Sequence, residues 1–157
     1  MREDTVTEDE IEIRQVLEDM VAGYRTKDAG RIVGHYAPDI VKFDLAPPLR
    51  IRRGDTTDIG GGRHVDMTSE EGLKTWLDGF GDAVFDYETR DLEVAIGGDV
   101  AYVHCLCQMG SPGVFGMWFR MTIGLRRSAD GWLIAHIHAS TPFYMDETRS
   151  AALDLAP

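Results

Sequence analysis

Long hydrophobic runs are missing from this sequence, cysteine is nearly so, and basic residues are outnumbered. No stretch approaches the roughly 18–20 apolar residues of a membrane-spanning helix. The opening MREDTVTEDE is acidic where a secretory leader is basic and then greasy. A cytoplasmic protein with no membrane partner is therefore expected. Cys105 and Cys107 stand two apart in one apolar run, a placement poorly suited to a mutual disulfide, and read as reduced core thiols. Lysine and arginine number 16 against 27 acidic residues, a formal net charge of -11 that repels nucleic acid and anionic lipid surfaces alike. No repeat or low-complexity tract occurs. What is present suffices for one core: 157 residues, 43% of them apolar.

After a flexible acidic N-terminus without apolar periodicity (1–8), Ile13, Val16, Leu17, Met20 and Tyr24 recur at the spacing of an amphipathic helix. Asp28 reads as the N-cap of a shorter helix carrying Ala29, Ile32, Val33 and Tyr36, stopped by Pro38. Residues 40–45 group Ile, Val and Phe into a short strand with Asp44 at its exit, ended by Pro47 and Pro48. Residues 50–67, with Gly54 and Gly60 to Gly62, show no helical stripe and read as a long loop, either a flap over a pocket or a plain surface excursion. Thr68 with Glu71 forms a capping box for a third helix bearing Leu73, Trp76, Leu77 and Phe80. Four strand-like runs follow, 85–96, 100–108, 114–127 and 132–140, separated by Gly-rich hairpin turns. Helices first and a strand meander afterwards predict an α+β domain with helices on one face of an antiparallel sheet.

This order resembles the nuclear-transport-factor-2-like (NTF2-like) superfamily, and local sequence supports the resemblance. The run from Tyr36 to Asp44, YAPDIVKFD, is similar to the Y-A-x-D-x-x-x-x-D segment of ketosteroid isomerases and SnoaL-like proteins. Gly97 to Tyr102 and Asp130 to Pro142 look like the SnoaL-like subgroup, and the final strand also resembles that of the calcium/calmodulin-dependent kinase association domain. The resemblance implies a cone-shaped fold, three N-terminal helices packed on a curved, mostly antiparallel sheet, over 9–145, with a tail at 146–157. It places Asp44 where the isomerases carry their base. It also shows two departures: the position of the isomerases' oxyanion tyrosine falls near Met20, and that of their protonated aspartate near Thr122 or Ile123, leaving Tyr24 as the nearest substitute.

Strand alternation then assigns faces. Trp132, Ile134, His136, His138 and Ser140 share one, and Leu133, Ala135, Ile137 and Ala139 the other. The second set is uniformly apolar and is expected to be the outer face, joining two copies as a homodimer. The first would line a small-molecule pocket under the helices. The resemblance turns His104 inward as well, and Trp118, Arg120 and Thr122 share a face on the neighbouring run. The expected site therefore has Asp44 as a general base, its carboxyl raised by an apolar cavity, and His138 as acid/base or hydrogen-bond donor. Tyr24, His104, Trp118, Arg120 and His136 would be substrate-binding. For each a plainer role stays open: a strand-end turn for Asp44, a core hydrogen bond to Ser140 or a carbonyl for His138, pairing with Asp44 or another acid for Arg120. No metal is expected, because His136-x-His138 has no acidic residue beside it, and no cofactor. Cys105 and Cys107 alternate with the expected pocket face. The expected activity is proton transfer on a small apolar carbonyl or hydroxyl compound, of isomerase, cyclase or dehydratase type. The alternatives are a ligand-binding or oligomerisation module and carbon dioxide hydration.

Overall fold

In the computed structural model, which describes residues 6–157, the Thr7 hydroxyl caps the first helix by accepting from the Glu10 N–H at 3.1 Å. The stretch read as a flexible N-terminus lies outside the described residues up to position 5; within its remainder, helix α1 (Glu8–Thr26) already begins. Its stripe of Ile13, Val16, Leu17 and Met20 is buried as the periodicity predicts. Lys27 closes the helix in the left-handed region at φ 56°, and the Asp28 side chain caps α2 (Ala29–Val33) by accepting from the Arg31 N–H.

Helix α2 is shorter than its predicted stripe. It stops at Gly34, and Tyr36 opens strand β1 (Tyr36–Phe43). Pro38 thus lies within a strand, in the irregular stretch between Tyr36 and Val41 where the pairing shifts. The segment 50–67 is not a bare loop either. It gives β2 (Ile51–Arg52), paired to β1, and a separate hairpin of β3 (Thr57–Asp58) and β4 (His64–Val65). Asp66 anchors its base by accepting from the Gly54 N–H and from the Thr68 N–H and hydroxyl. Thr68 is therefore occupied, and the cap of α3 (Glu70–Asp78) is Ser69, which accepts from Gly72.

The strands β5 (Asp86–Gly97), β6 (Val100–Ser111), β7 (Phe115–Ser128) and β8 (Gly131–Ser140) form the expected meander. Beyond β8 lies β1, its parallel neighbour, giving a six-stranded sheet in the order β2-β1-β8-β7-β6-β5 that is otherwise antiparallel. The inner faces of these strands join Ile13, Leu17, Ile32, Leu73 and Leu77 of the helices in one core. Among the described residues no helix is long and apolar enough to cross a membrane.

One irregularity reverses the predicted faces. Gly124 of β7 pairs with His136, but the next residue, Leu125, pairs with Ile134, so Ala135 is an extra residue in β8. Trp132 and Ile134 are buried before this bulge, Ile137 and Ala139 after it. A one-residue insertion moves every following side chain to the opposite face. His136 and His138 consequently point to the outer side, and Ile137 and Ala139, the expected dimer face, line the interior. On β6 the buried set is Val103, Cys105 and Cys107, with Tyr102 and His104 exposed; on β7 it is Phe119, Met121 and Ile123, which leaves Trp118 and Arg120 outside. The resemblance-based inward placement of His104 is thereby corrected.

Candidate active site

The inward face of β1 carries Ile40, Lys42 and, just past the strand's end, Asp44 at the two-residue spacing that a strand imposes. Lys42 is 4% exposed, and its Nζ stands 3.0 Å from Asp44 Oδ2. The other carboxylate oxygen accepts from the Leu45 N–H at 2.8 Å. Burial pushes the Asp44 carboxyl up, but the Lys42 ammonium and the Leu45 N–H outweigh it and hold the group below the ordinary aspartate value. The expected rise is therefore overturned, because the cavity wall is not purely apolar beside Asp44. Burial likewise disfavours the charge on Lys42, yet the Tyr36 phenol and the Asp44 carboxylate keep its ammonium above the usual lysine range.

Both groups open onto a cavity of about 310 Å³ between α1, α3, the β3–β4 hairpin and the sheet. Met20 and Tyr24 come from α1, Thr57, Asp58 and Ile59 from the hairpin, and Met67 and Trp76 from α3 and its approach. Tyr87, Met109, Phe119, Met121, Ile137 and Ala139 form the sheet floor. The size and the mostly apolar lining with few polar groups are those of a small-molecule site. The Tyr24 ring lies parallel to Tyr87, centroids 4.3 Å apart. Burial foremost, then the neighbouring Tyr36 and Asp44, keeps the Tyr24 phenol well above its ordinary value, so it remains a neutral hydrogen-bond donor. Two hydroxyls in this region, Tyr36 Oη and Thr57 Oγ1, are sealed from solvent without a hydrogen-bond partner among the described residues. Chemically the arrangement offers a carboxylate able to take a proton, with an ammonium and a phenol positioned to meet negative charge that develops on a ligand oxygen.

The structure brings Asp44 and Tyr24 together on this cavity and separates them from the other predicted residues. His136 donates from Nδ1 to the Val41 carbonyl at 2.7 Å and packs edge-on against Phe43. His138 also meets Phe43 and lines an open outer cleft with Pro47, Pro48 and Leu49, in which Asp44 forms part of the shared wall. His104 stands 3.3 Å from Glu93 on the exposed face, Arg120 donates to Ser140 Oγ, and Trp118 is covered by the Arg90 guanidinium. None of these five lines the cavity. Among the described residues no group of three His, Cys, Asp or Glu is placed to hold a metal ion. Cys105 and Cys107 are free and buried, their thiols raised to about 11 and about 12 by burial foremost. Lys42 and Thr57 are the residues that sequence reading missed. The alternation that makes Asp44 an inward residue makes Lys42 one too, whereas nothing in the sequence marks Thr57.

Comparison with known proteins accords with this architecture. The SnoaL-like domain family matches residues 13–144. Among solved structures, an NTF2-like protein of unknown function from Pseudomonas putida KT2440 is 29% identical, with a TM-score of 0.73 over 94% of this chain and 95% of its own. A protein from Streptomyces avermitilis, provisionally named a dehydratase of the NTF2-like family, is 16% identical at a TM-score of 0.62, covering 87% of this chain and 97% of its own. A protein from Novosphingobium aromaticivorans, provisionally named a scytalone dehydratase, shares the fold at 10% identity and a TM-score of 0.60, covering 90% and 89%. No curated protein matches the sequence significantly. With a match over most of its length and a helix-backed curved sheet to go with it, the chain belongs to the SnoaL-like family and has the NTF2-like fold.

Proposed function

We propose that the protein is an enzyme that moves a proton on a small, largely apolar carbonyl or hydroxyl compound, an isomerase or a lyase of dehydratase or cyclase type, using only its own side chains. The observation that carries this reading is the Asp44 carboxylate paired with the buried Lys42 ammonium on the wall of an apolar cavity. Asp44 accepts the proton from a carbon next to the substrate carbonyl: the C–H bond breaks, an O–H bond forms on Asp44, and the electron pair moves onto the carbonyl oxygen. As negative charge leaves Asp44 it appears on that oxygen, and the Lys42 ammonium can follow it, with the Tyr24 phenol as a second donor. The cation thus serves both ends of the transfer without a change in the net charge of the site. Returning the proton to another carbon gives isomerisation; in dehydration the electron pair returns from the oxygen to form a C=C bond, the C–O bond of a neighbouring hydroxyl breaks, and that hydroxyl leaves as water with the proton held by Asp44. The provisional names of two fold relatives favour the second.

The same proposal includes pairing of two copies through the outer sheet face, with Tyr102 and His104 in place of the expected Ile137 and Ala139.

A generic enolisable ketone tests the chemistry. Acetophenone in heavy water should exchange its methyl hydrogens faster with the protein than in buffer, read by proton NMR. Asp44→Asn should cut that acceleration by at least ~10²-fold in a protein that still unfolds cooperatively, at a lower midpoint because the buried Lys42 loses its counter-charge. Equal exchange by the variant, or no acceleration by the wild type, overturns the proposal.

A further inference from the structure

We propose that Thr57 is a substrate-binding residue whose hydroxyl meets a second oxygen of the ligand, distinct from the one that faces Lys42. The inference rests on reading the cavity as a catalytic site. Three buried side-chain atoms lack a hydrogen-bond partner among the described residues, Tyr36 Oη, Thr57 Oγ1 and Ser111 Oγ, and of these residues only Thr57 lines the cavity. It is 5% exposed. An unpaired buried hydroxyl weakens a fold relative to a methyl group of the same shape, and beside a cavity an oxygen of a bound ligand relieves that cost.

The surrounding chain holds Thr57 in place. On β3, Thr57 turns inward and is buried, while Asp58 is exposed and its carboxylate accepts from the Gly60 N–H at 2.8 Å. Ile59 and Arg63 close the hairpin by a backbone hydrogen bond of 2.9 Å. At its base the Arg53 guanidinium spans the carbonyls of Ala37, Pro38 and Thr68. This tie fixes the hairpin to the entrance of β1, the strand that carries Lys42 and Asp44.

The chemistry of the ligand follows from what else lines the space. Met20, Met67, Met109 and Phe119 are apolar, the Trp76 indole N–H can only donate, and no described side chain bonds Thr57 Oγ1, so a group on the ligand can match it. Lys42 and Asp44 already neutralise each other, which favours a neutral molecule over a carboxylate or an amine. A volume of about 310 Å³ holds roughly ten waters' worth of substance. The fitting class is a neutral carbonyl compound of about that size carrying one further hydroxyl or carbonyl oxygen.

Acetophenone and its ortho-, meta- and para-hydroxy derivatives are suitable probes, with Kd measured by calorimetry. The wild type should bind at least one hydroxy isomer about tenfold more tightly than acetophenone, the gain expected of one hydrogen bond. Thr57→Val should reduce this preference to less than about twofold, and Thr57→Ser should keep it. The thermal midpoint of the free Val variant should be equal or higher, whereas a hydroxyl with a purely structural partner would lower it. Absence of a preferred isomer in the wild type, or a preference that survives Thr57→Val, overturns the inference. Asp44→Asn separates the two levels: loss of exchange with the hydroxy preference intact supports both. Exchange unaffected by Asp44→Asn removes the proton-transfer reading, and the binding series still decides Thr57.

Discussion

Lys42 and Asp44 set the pH response of the site because each is buried on the strength of the other. Asp44 has a folded pKa below its ordinary value, so its contribution to stability is present above the unfolded aspartate range and disappears as the pH falls through the folded value. Lys42→Met removes the opposing charge and leaves burial, the largest influence, against the Leu45 N–H only, which pushes the Asp44 carboxyl above its ordinary value. The sign then reverses: the variant loses stability as the pH rises past that raised value. Breaking a buried pair at one end costs about 3–5 kcal/mol. The lower end applies here, since a quarter of the Asp44 side chain is exposed. Urea denaturation of Lys42→Met at about pH 8 and about pH 5 should show the larger loss at the higher pH. The acid limb of ketone exchange should move up by at least about one pH unit. The double variant Lys42→Met with Asp44→Asn should recover part of the stability, because no unpaired charge remains. A Lys42→Met protein with an unmoved acid limb would mean that Lys42 does not govern Asp44.

The contact between α3 and the end of the hairpin segment, at Asp66, turns on Gly72. In an exposed helix interior, glycine to alanine gains up to about 1 kcal/mol. Here a Cβ on Gly72 would lie 1.9 Å from the Asp66 carbonyl oxygen and 2.6 Å from its carbon, so backbone must move. Overpacking of this kind costs about 1–3 kcal/mol, and it outweighs the helix gain. Because Asp66 also holds Gly54 and Thr68, Gly72→Ala should lower the denaturation midpoint and at the same time blunt the hydroxy-isomer preference assigned to Thr57. A midpoint at or above wild type would count against this account of the contact. At the same scale lies the limit of what the sequence discloses. Features fixed by near neighbours were legible: the stripe of α1, the Asp28 cap and the hairpin turns depend on residues a few positions apart. The third helix cap was displaced by one position because Thr68 and Ser69 are equally able acceptors and only the fold gives Thr68 to Asp66. The faces of β8 were not legible past Ala135. A bulge inserts a residue with no compositional mark, so strict alternation carried His136 and His138 inward and Ile137 and Ala139 outward. Asp44 and Tyr24 reach the cavity because the irregularity of β1 ends before the alternation of Lys42 and Asp44, and none interrupts the stripe of α1.

At the scale of the whole molecule, the proposed dimer rests on the outer sheet face. The C-terminal tail already covers one end of it: Ala152 is 2% exposed, and Pro142, Ala152 and Leu155 gather beside Leu106, Trp118 and Arg120. The backbone bonds of Ala152 to Pro142 and of Tyr144 to Ser150 hold that fold-back. The other end leaves Val100 and Tyr102 more than half exposed, with His104 beside them. An apolar and aromatic patch of this kind suits the pairing proposed above. Each copy, however, carries a formal net charge of -11, and two such copies repel over a distance set by the salt concentration. The dimer proposed above should therefore tighten as salt rises, the reverse of a dimer held by ion pairs. Sedimentation velocity at a few tens of micromolar should show a larger dimer fraction at about 0.5 M than at about 0.05 M sodium chloride, where the Debye length is several times longer. Tyr102→Glu should give a monomer at both concentrations while ketone exchange per chain stays at the wild-type rate, since Tyr102 faces away from the cavity. A wild-type protein that remains monomeric at the higher salt leaves this face to water and removes the dimer from the proposal.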